Sequence, residues 1–306
     1  MNLREIFIET REVCKKNSSI FLGFTLAIFA VFFAFIVGYM FVGVEWSFLI
    51  IGATIAVILP LFVGIDFISK KAVNGEEVEY QDFYLGHRNF LTSLTLETKV
   101  LSRGLLFAAI GSFASMFILN FFLTYYIMMN NPEIMQMVEE IISGKTSYMD
   151  LANALVNISY YETVVIIIDV TSLFIGAVFY IWQGKRYSFL PYICFETRFN
   201  LQTAVYLSKE SSESIKKSFF AYNLIYLLIV VVAGALGVGA FYLFKLFLTE
   251  TVSLVISFFI VCLILSPVFL RYKVSLYVIY AKNFKSRIDE TFKLKLEEAK
   301  QKSNNI

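Results

Sequence analysis

Histidine is almost absent from this chain, cysteine is sparse, and charge is thin. Of 306 residues one is histidine, His87, and three are cysteine, Cys14, Cys194 and Cys262. A single histidine excludes histidine-rich metal motifs. The cysteines are far apart, form no CxxC pair and are odd in number, which argues against a disulfide framework. Catalytic signatures are also missing: there is no HExxH, no GxxxxGK[ST], no GxSxG and no metal-spaced Cys/His group. Gly237-Val-Gly239 lies within an apolar run and is not a nucleotide-binding turn. The expectation is a non-enzymatic protein without cofactor or metal, and without a nucleic-acid partner.

Apolar residues fill the space that charge leaves. They make up 58% of the chain, charged residues 16%, and the mean hydropathy is +0.71. Soluble domains sit near about 45–50% apolar and about 25% charged. With 33 Phe and 18 Tyr the surplus is strongly aromatic. A soluble fold of this size would expose large apolar patches, whereas a lipid bilayer matches such a surface.

Six segments are long enough to cross the bilayer: 19–41, 47–68, 104–128, 163–182, 218–244 and 250–272. About 20 residues at about 1.5 Å rise cross a hydrocarbon core of about 30 Å, and in lipid such spans must be helical. The fold class read from this is all-α: a polytopic membrane bundle of six transmembrane helices with interfacial amphipathic helices, forming a single integral membrane domain. The first span is too long for the apolar region of a signal peptide and lacks a small-residue cleavage site, so no processing is expected.

Charge sets the orientation. Four Lys and Arg lie in 1–18, five in 69–104, six in 183–217 and nine from Arg271 onward; only Lys145 and Lys245 fall elsewhere. The positive-inside rule places both termini in the cytoplasm of a cell membrane. The loop 129–162 then lies outside and is acidic, with Glu133, Glu139, Glu140, Asp150 and Glu162 against Lys145. Asn131-Pro132 reads as an N-cap and first helical residue, and Gly144 as a stop. Ser147-x-x-Asp150 resembles a capping box for a second short helix. Asn157-Ile-Ser159 matches a glycosylation sequon, with little meaning in a bacterial-looking chain.

The inner segments are amphipathic. Leu3, Ile6, Phe7, Thr10, Val13 and Cys14 share one helical face, predicting an interfacial helix over 1–17. Gly75 is the expected turn of segment 69–104, with a helix from about Tyr80. The tail, 283–306, carries Phe284, Ile288, Phe292 and Leu296 at i+4 among charges and reads as a surface or partner helix. A weak repeat shows as well: amphipathic segments 1–17, 80–103 and 197–217 each precede a helical hairpin. Ile58-Leu59-Pro60 is echoed by Ile264-Leu265-Ser266-Pro267. Such repeats occur in transporters and also arise by plain duplication.

Small residues recur on one face of several spans: Gly23, Ala27, Ala30, Ala34 and Gly38; Gly52, Ala56, Pro60 and Gly64; Gly104, Ala108 and Ser112; Ala233 and Gly237. They allow close helix approach, within the bundle or between copies in a homo-oligomer. Pro60 and Pro267 are candidate kinks.

Asp169 is the residue that stands out, because a carboxylate inside a span is costly and suggests function. Ser172 continues its face, Asn120 lies at matching depth, and Lys245 is placed nearby. These four form a candidate intramembrane polar site, with an Asn120–Asp169 hydrogen bond expected. It reads either as an ion or proton site or as a structural clasp. Asp66 reads as an interfacial pair with Lys70 at i+4. Lys185, Arg186, Glu196 and Arg198 are candidate lipid-headgroup contacts or snorkelling interfacial residues.

One pattern has a family echo. Ala204-x-x-x-Ser208 followed by Lys217-Ser218-Phe219 resembles uncharacterised bacterial six-span membrane proteins, similar to the membrane domain found with some glycerophosphodiester phosphodiesterases. The resemblance covers 185–282 and implies a multi-span bundle in a bacterial plasma membrane, with no catalytic residues carried over. The expected function is an accessory or scaffold component of the envelope, with the lipid bilayer, a membrane-protein partner or a second copy as its contacts. The alternatives are a transporter or channel for a lipid or small solute around Asp169, and an immunity factor against a membrane-active toxin.

Overall fold

The computed structural model describes residues 2–41, 47–158, 160–196 and 201–304. Among these residues there are thirteen α-helices and no strand: α1 Leu3–Lys16, α2 Ser18–Phe41, α3 Ser47–Asn74, α4 Leu85–Arg88, α5 Phe90–Asn130, α6 Pro132–Ile142, α7 Tyr148–Val156, α8 Tyr161–Gly184, α9 Leu190–Glu196, α10 Leu201–Ser214, α11 Lys216–Lys245, α12 Glu250–Asn283 and α13 Lys285–Asn304. Short 3₁₀ turns at Tyr80–Tyr84 and Lys185–Tyr187 precede α4 and α9. Five helices among the described residues are long and apolar enough to cross a membrane. They are α2, α5, α8, α11 and α12. The stretch 42–46 between the first two expected spans, which reads as a short turn, lies outside the described residues.

The chain divides into two units, 103–183 and the remainder. In the smaller unit, α5 and α8 pack antiparallel through small residues. Gly176 lies against Ala108 and Ser112, and Gly104 against the Tyr180 ring, so the expected Gly104-Ala108-Ser112 face is used. Beyond them, Ile134 of α6 and Leu151 and Leu155 of α7 pack on Leu123, Ile127 and Ile168. The helix punctuation holds at Gly144, with φ +74°, and at Ser147, whose Oγ accepts from the Asp150 N–H at 3.3 Å. Pro132 takes the first turn of α6. Asn131 stands at the N-cap position but turns its amide back onto the Ile127 carbonyl, so it does not cap by its side chain.

The larger unit is arranged around α12. This helix runs past the expected span end at 272 without a break to Asn283. Its most buried stretch, Lys273 to Tyr280, lies beyond that limit. Lys273 stands just past the end of the expected span, where the same helix continues, and it is buried among neighbouring helices. Helices α1, α2, α3 and α11 all pack on α12. The α1 face expected at an interface packs inward, with Phe7 6.0 Å from the Tyr222 ring and Ile6 buried.

Pro60 and Pro267 lie inside helices assigned as continuous. The small-residue face at Pro60 and Gly64 receives the segment after the Gly75 turn. A Cβ on Gly86 would stand 1.8 Å from the Pro60 carbonyl oxygen, and one on Gly64 would stand 2.1 Å from that of Phe83. Backbone meets backbone at both places, so no side chain can move aside.

Gly86→Ala should therefore lower stability by about 1–3 kcal/mol through overpacking. Gly52→Ala should be near neutral, since its Cβ would meet nothing within 4 Å among the described residues. Thermal unfolding in detergent compares the two.

Asp150 lies outside the spans, and hydrogen bonds from the Ser147 hydroxyl and backbone N–H hold its carboxyl below the usual carboxylate range. A depressed folded value means that its contribution is present above the unfolded carboxylate range and is lost as pH falls through the folded one. Protection factors of the α7 amides, taken against the intrinsic exchange rate at each pH, should fall on acidification in the wild type, with Ser147→Ala showing the lower protection at neutral pH already.

Candidate functional site: a buried charge cluster

Two proline-bearing helices supply opposite charges to one enclosed place. Asp66 of α3 is 1% exposed and Lys273 of α12 is 8% exposed. Lys273 Nζ donates to Asp66 Oδ2 at 2.9 Å. The ammonium also lies over the Phe62 and Phe269 rings, 5.4 and 5.9 Å from their centroids. Tyr192 of α9 sets its hydroxyl between Asp66 Oδ1 at 2.9 Å and the Lys273 carbonyl at 3.0 Å. Glu97, from the early turns of α5, is 1% exposed and interacts with both Asp66 and Lys273. Its Oε1 has no hydrogen-bond partner among the described residues.

The expected Asp66–Lys70 pair is thus corrected. Asp66 turns to the core and takes a partner 207 residues away. Lys70 instead reaches Glu196, 3.8 Å from its Oε1. The four-residue rule describes neighbours on one helix face, whereas here a second helix offers a buried cation at 2.9 Å.

The motif repeat bears on this geometry. Aligned on their prolines, Ile58-Leu59-Pro60 and Ile264-Leu265-Ser266-Pro267 place Phe62 opposite Phe269 and Asp66 opposite Lys273. Each matched pair meets: the rings lie 4.9 Å apart and the charges 2.9 Å apart. Residues near a two-fold axis contact their own equivalents. The α3–α12 contact has that character, with the charge reversed on one side.

A tyrosine cluster surrounds the pair. Tyr222 and Tyr226 share Ser275 Oγ, and Tyr272 donates to Asn223 Oδ1 at 2.7 Å. Tyr277 donates to Glu196 Oε1 at 2.6 Å. Among the four headgroup candidates, Glu196 is an internal acceptor at 12% side-chain exposure and also lies 3.4 Å from Lys285. Lys185 is buried beneath the Phe220 ring. Arg186 pairs with Glu213 at 3.4 Å, and Arg198 lies outside the described residues.

The expected intramembrane site does not assemble as drawn. Asn120 donates its amide to the Met116 carbonyl of its own helix at 2.9 Å. Among the described residues Asp169 Oδ1 is left without a hydrogen bond, as is Ser172 Oγ one turn on. Lys245 pairs with Glu250 at 3.5 Å. An asparagine in an apolar helix satisfies itself on the preceding turn more readily than it reaches across to a neighbour.

Sequence reading missed Lys273, Glu97 and Tyr192. Lys273 had one available signal, its place six residues after a repeated proline motif whose other copy carries an acid. Glu97 sits in LTLETK, which reads as an ordinary polar stretch. No protein-family model, curated protein or solved structure matches the chain.

Lys273→Met leaves Asp66 buried and unpaired and should cost about 3–5 kcal/mol. Asp66→Asn combined with Lys273→Met should cost less than the two single changes summed, because neither charge is then stranded. A double-mutant cycle on thermal unfolding gives that coupling, and additive losses would show the pair to be energetically inert.

Proposed function

We propose that the protein is a non-enzymatic, six-span protein of a bacterial cell membrane that acts as an accessory or scaffold component of the envelope. The spans in this reading are α2, α3, α5, α8, α11 and α12. Helix α3 is the sixth because its apolar stretch, 47–68, is long enough to cross and is followed by Lys70 and Lys71, as the positive-inside rule favours. Both termini are cytoplasmic, and α6 and α7 lie outside.

The observation that carries the scaffold reading is the filling of the larger unit's core. Tyr192, Tyr222, Tyr277 and Phe219 are fully enclosed, and an ion pair joins the helices at their centre. A fixed core of this kind suits holding helices in register more than passing a solute. The pocket at Ala233 is consistent with it: a groove of ≈ 320 Å³ lined by Ile225, Leu228, Val232 and other apolar side chains, suited to lipid tails rather than a polar cargo.

A second reading, transport of a lipid or small solute, rests on Asp169 Oδ1 and Ser172 Oγ. Two unpartnered oxygens on successive turns of α8 are costly unless water or a cation reaches them.

Two measurements test these readings. In proteoliposomes the wild-type protein should move neither ions nor small solutes faster than empty vesicles do; a flux abolished by Asp169→Asn would replace the scaffold by the transporter. For orientation, a cysteine at Lys145 should react with an impermeant maleimide on whole cells, and one at Lys285 only after lysis. Burial pushes the native Cys14 thiol up to about 11, which keeps it from competing at neutral pH.

A further inference from the structure

Among the described residues, the cluster at Asp66 holds two acids, Asp66 and Glu97, to one cation, Lys273. Asp66 uses both oxygens, Oδ2 on Lys273 and Oδ1 on the Tyr192 hydroxyl. Glu97 is as deeply buried as Asp66, faces the same lysine, and leaves Oε1 bare. The groups around it are Asp66 on α3 and Lys273 on α12, with Tyr192 of α9 bound to Asp66. With both carboxyls ionised, one ammonium would serve two buried carboxylates. With Glu97 neutral, its O–H becomes a donor for Asp66 and the cluster carries no net charge.

We propose that Glu97 and Asp66 form an acid–carboxylate pair that binds one exchangeable proton beside Lys273. The reaction is protonation of the Glu97 carboxylate by hydronium, giving the carboxylic acid and water; its reverse returns the proton to bulk water. Glu97 is the proton holder, Asp66 the acceptor of its hydrogen bond, and Lys273 the cation bound to Asp66. The site goes beyond the scaffold reading and stands whether or not the protein transports anything.

Glu97→Gln keeps the shape and the donor of the neutral acid, so the full-length variant should fold and unfold at neutral pH as the wild type does. Purified wild type in nanodiscs should show the infrared carbonyl stretch of a protonated carboxylic acid at neutral pH, and that band should be lost in Glu97→Gln. The folded protein holds a proton that the unfolded chain releases, so raising the pH should lower the wild-type unfolding temperature. Glu97→Gln should be insensitive over the same range. On alkalinisation the wild type should release one more proton than the variant. An unchanged carbonyl band, a pH profile shared by both proteins, or failure of Glu97→Gln to fold would each overturn the proposal. The last result would mean that the ionised form is the one the fold requires.

Discussion

A lysine and an aspartate shut away from water cannot be satisfied separately, and much of the larger unit follows from that. Stranding either charge costs several kilocalories per mole, which is a large part of a protein's net stability. Helices α3 and α12 must therefore meet at the register that joins Asp66 to Lys273. In lipid, apolar side chains alone do little to choose between registers, because the tails are as apolar as the helices. A buried charge pair does choose. Sliding α12 by one turn along α3 would carry Lys273 about 5.4 Å from its partner.

The elements around the pair complete its polar needs. Tyr192 brings α9 into the core because its hydroxyl has two acceptors there. Phe62 and Phe269 place ring faces under the ammonium, which suits a cation drawn away from water. Further along α12, Ser275 receives Tyr222 and Tyr226, and Phe7 of α1 stacks on that cluster. Each large aromatic group thus supplies packing area, and most carry a hydroxyl that finds a partner. The exceptions are informative. Tyr280 Oη is buried without a hydrogen bond, as is Glu97 Oε1.

The local grammar of the chain was legible throughout. Apolar runs marked α2, α8 and α11 to within two residues at each end, because helix in lipid is the only way to satisfy the backbone. Gly75 and Gly144 marked turns, and both adopt positive φ. The Ser147 box formed as its spacing required. Misreadings came where a polar residue had to be assigned a partner. Asp66 was matched with Lys70 and Asn120 with Asp169, because those candidates lie at a neighbouring position or a similar depth. Proximity in sequence or depth carries no information about which way a helix faces.

Composition and periodicity by themselves determined that this is a helical protein with segments long and apolar enough to cross a membrane, where its helices run and where its turns fall. These are one-dimensional properties, set by each segment's own backbone and solvent. Which charges pair, which tyrosines are enclosed and why Gly86 must lack a side chain were decided only in three dimensions. They depend on the rotation and register of helices more than 200 residues apart in the chain, and a linear pattern does not encode how two faces are turned toward each other.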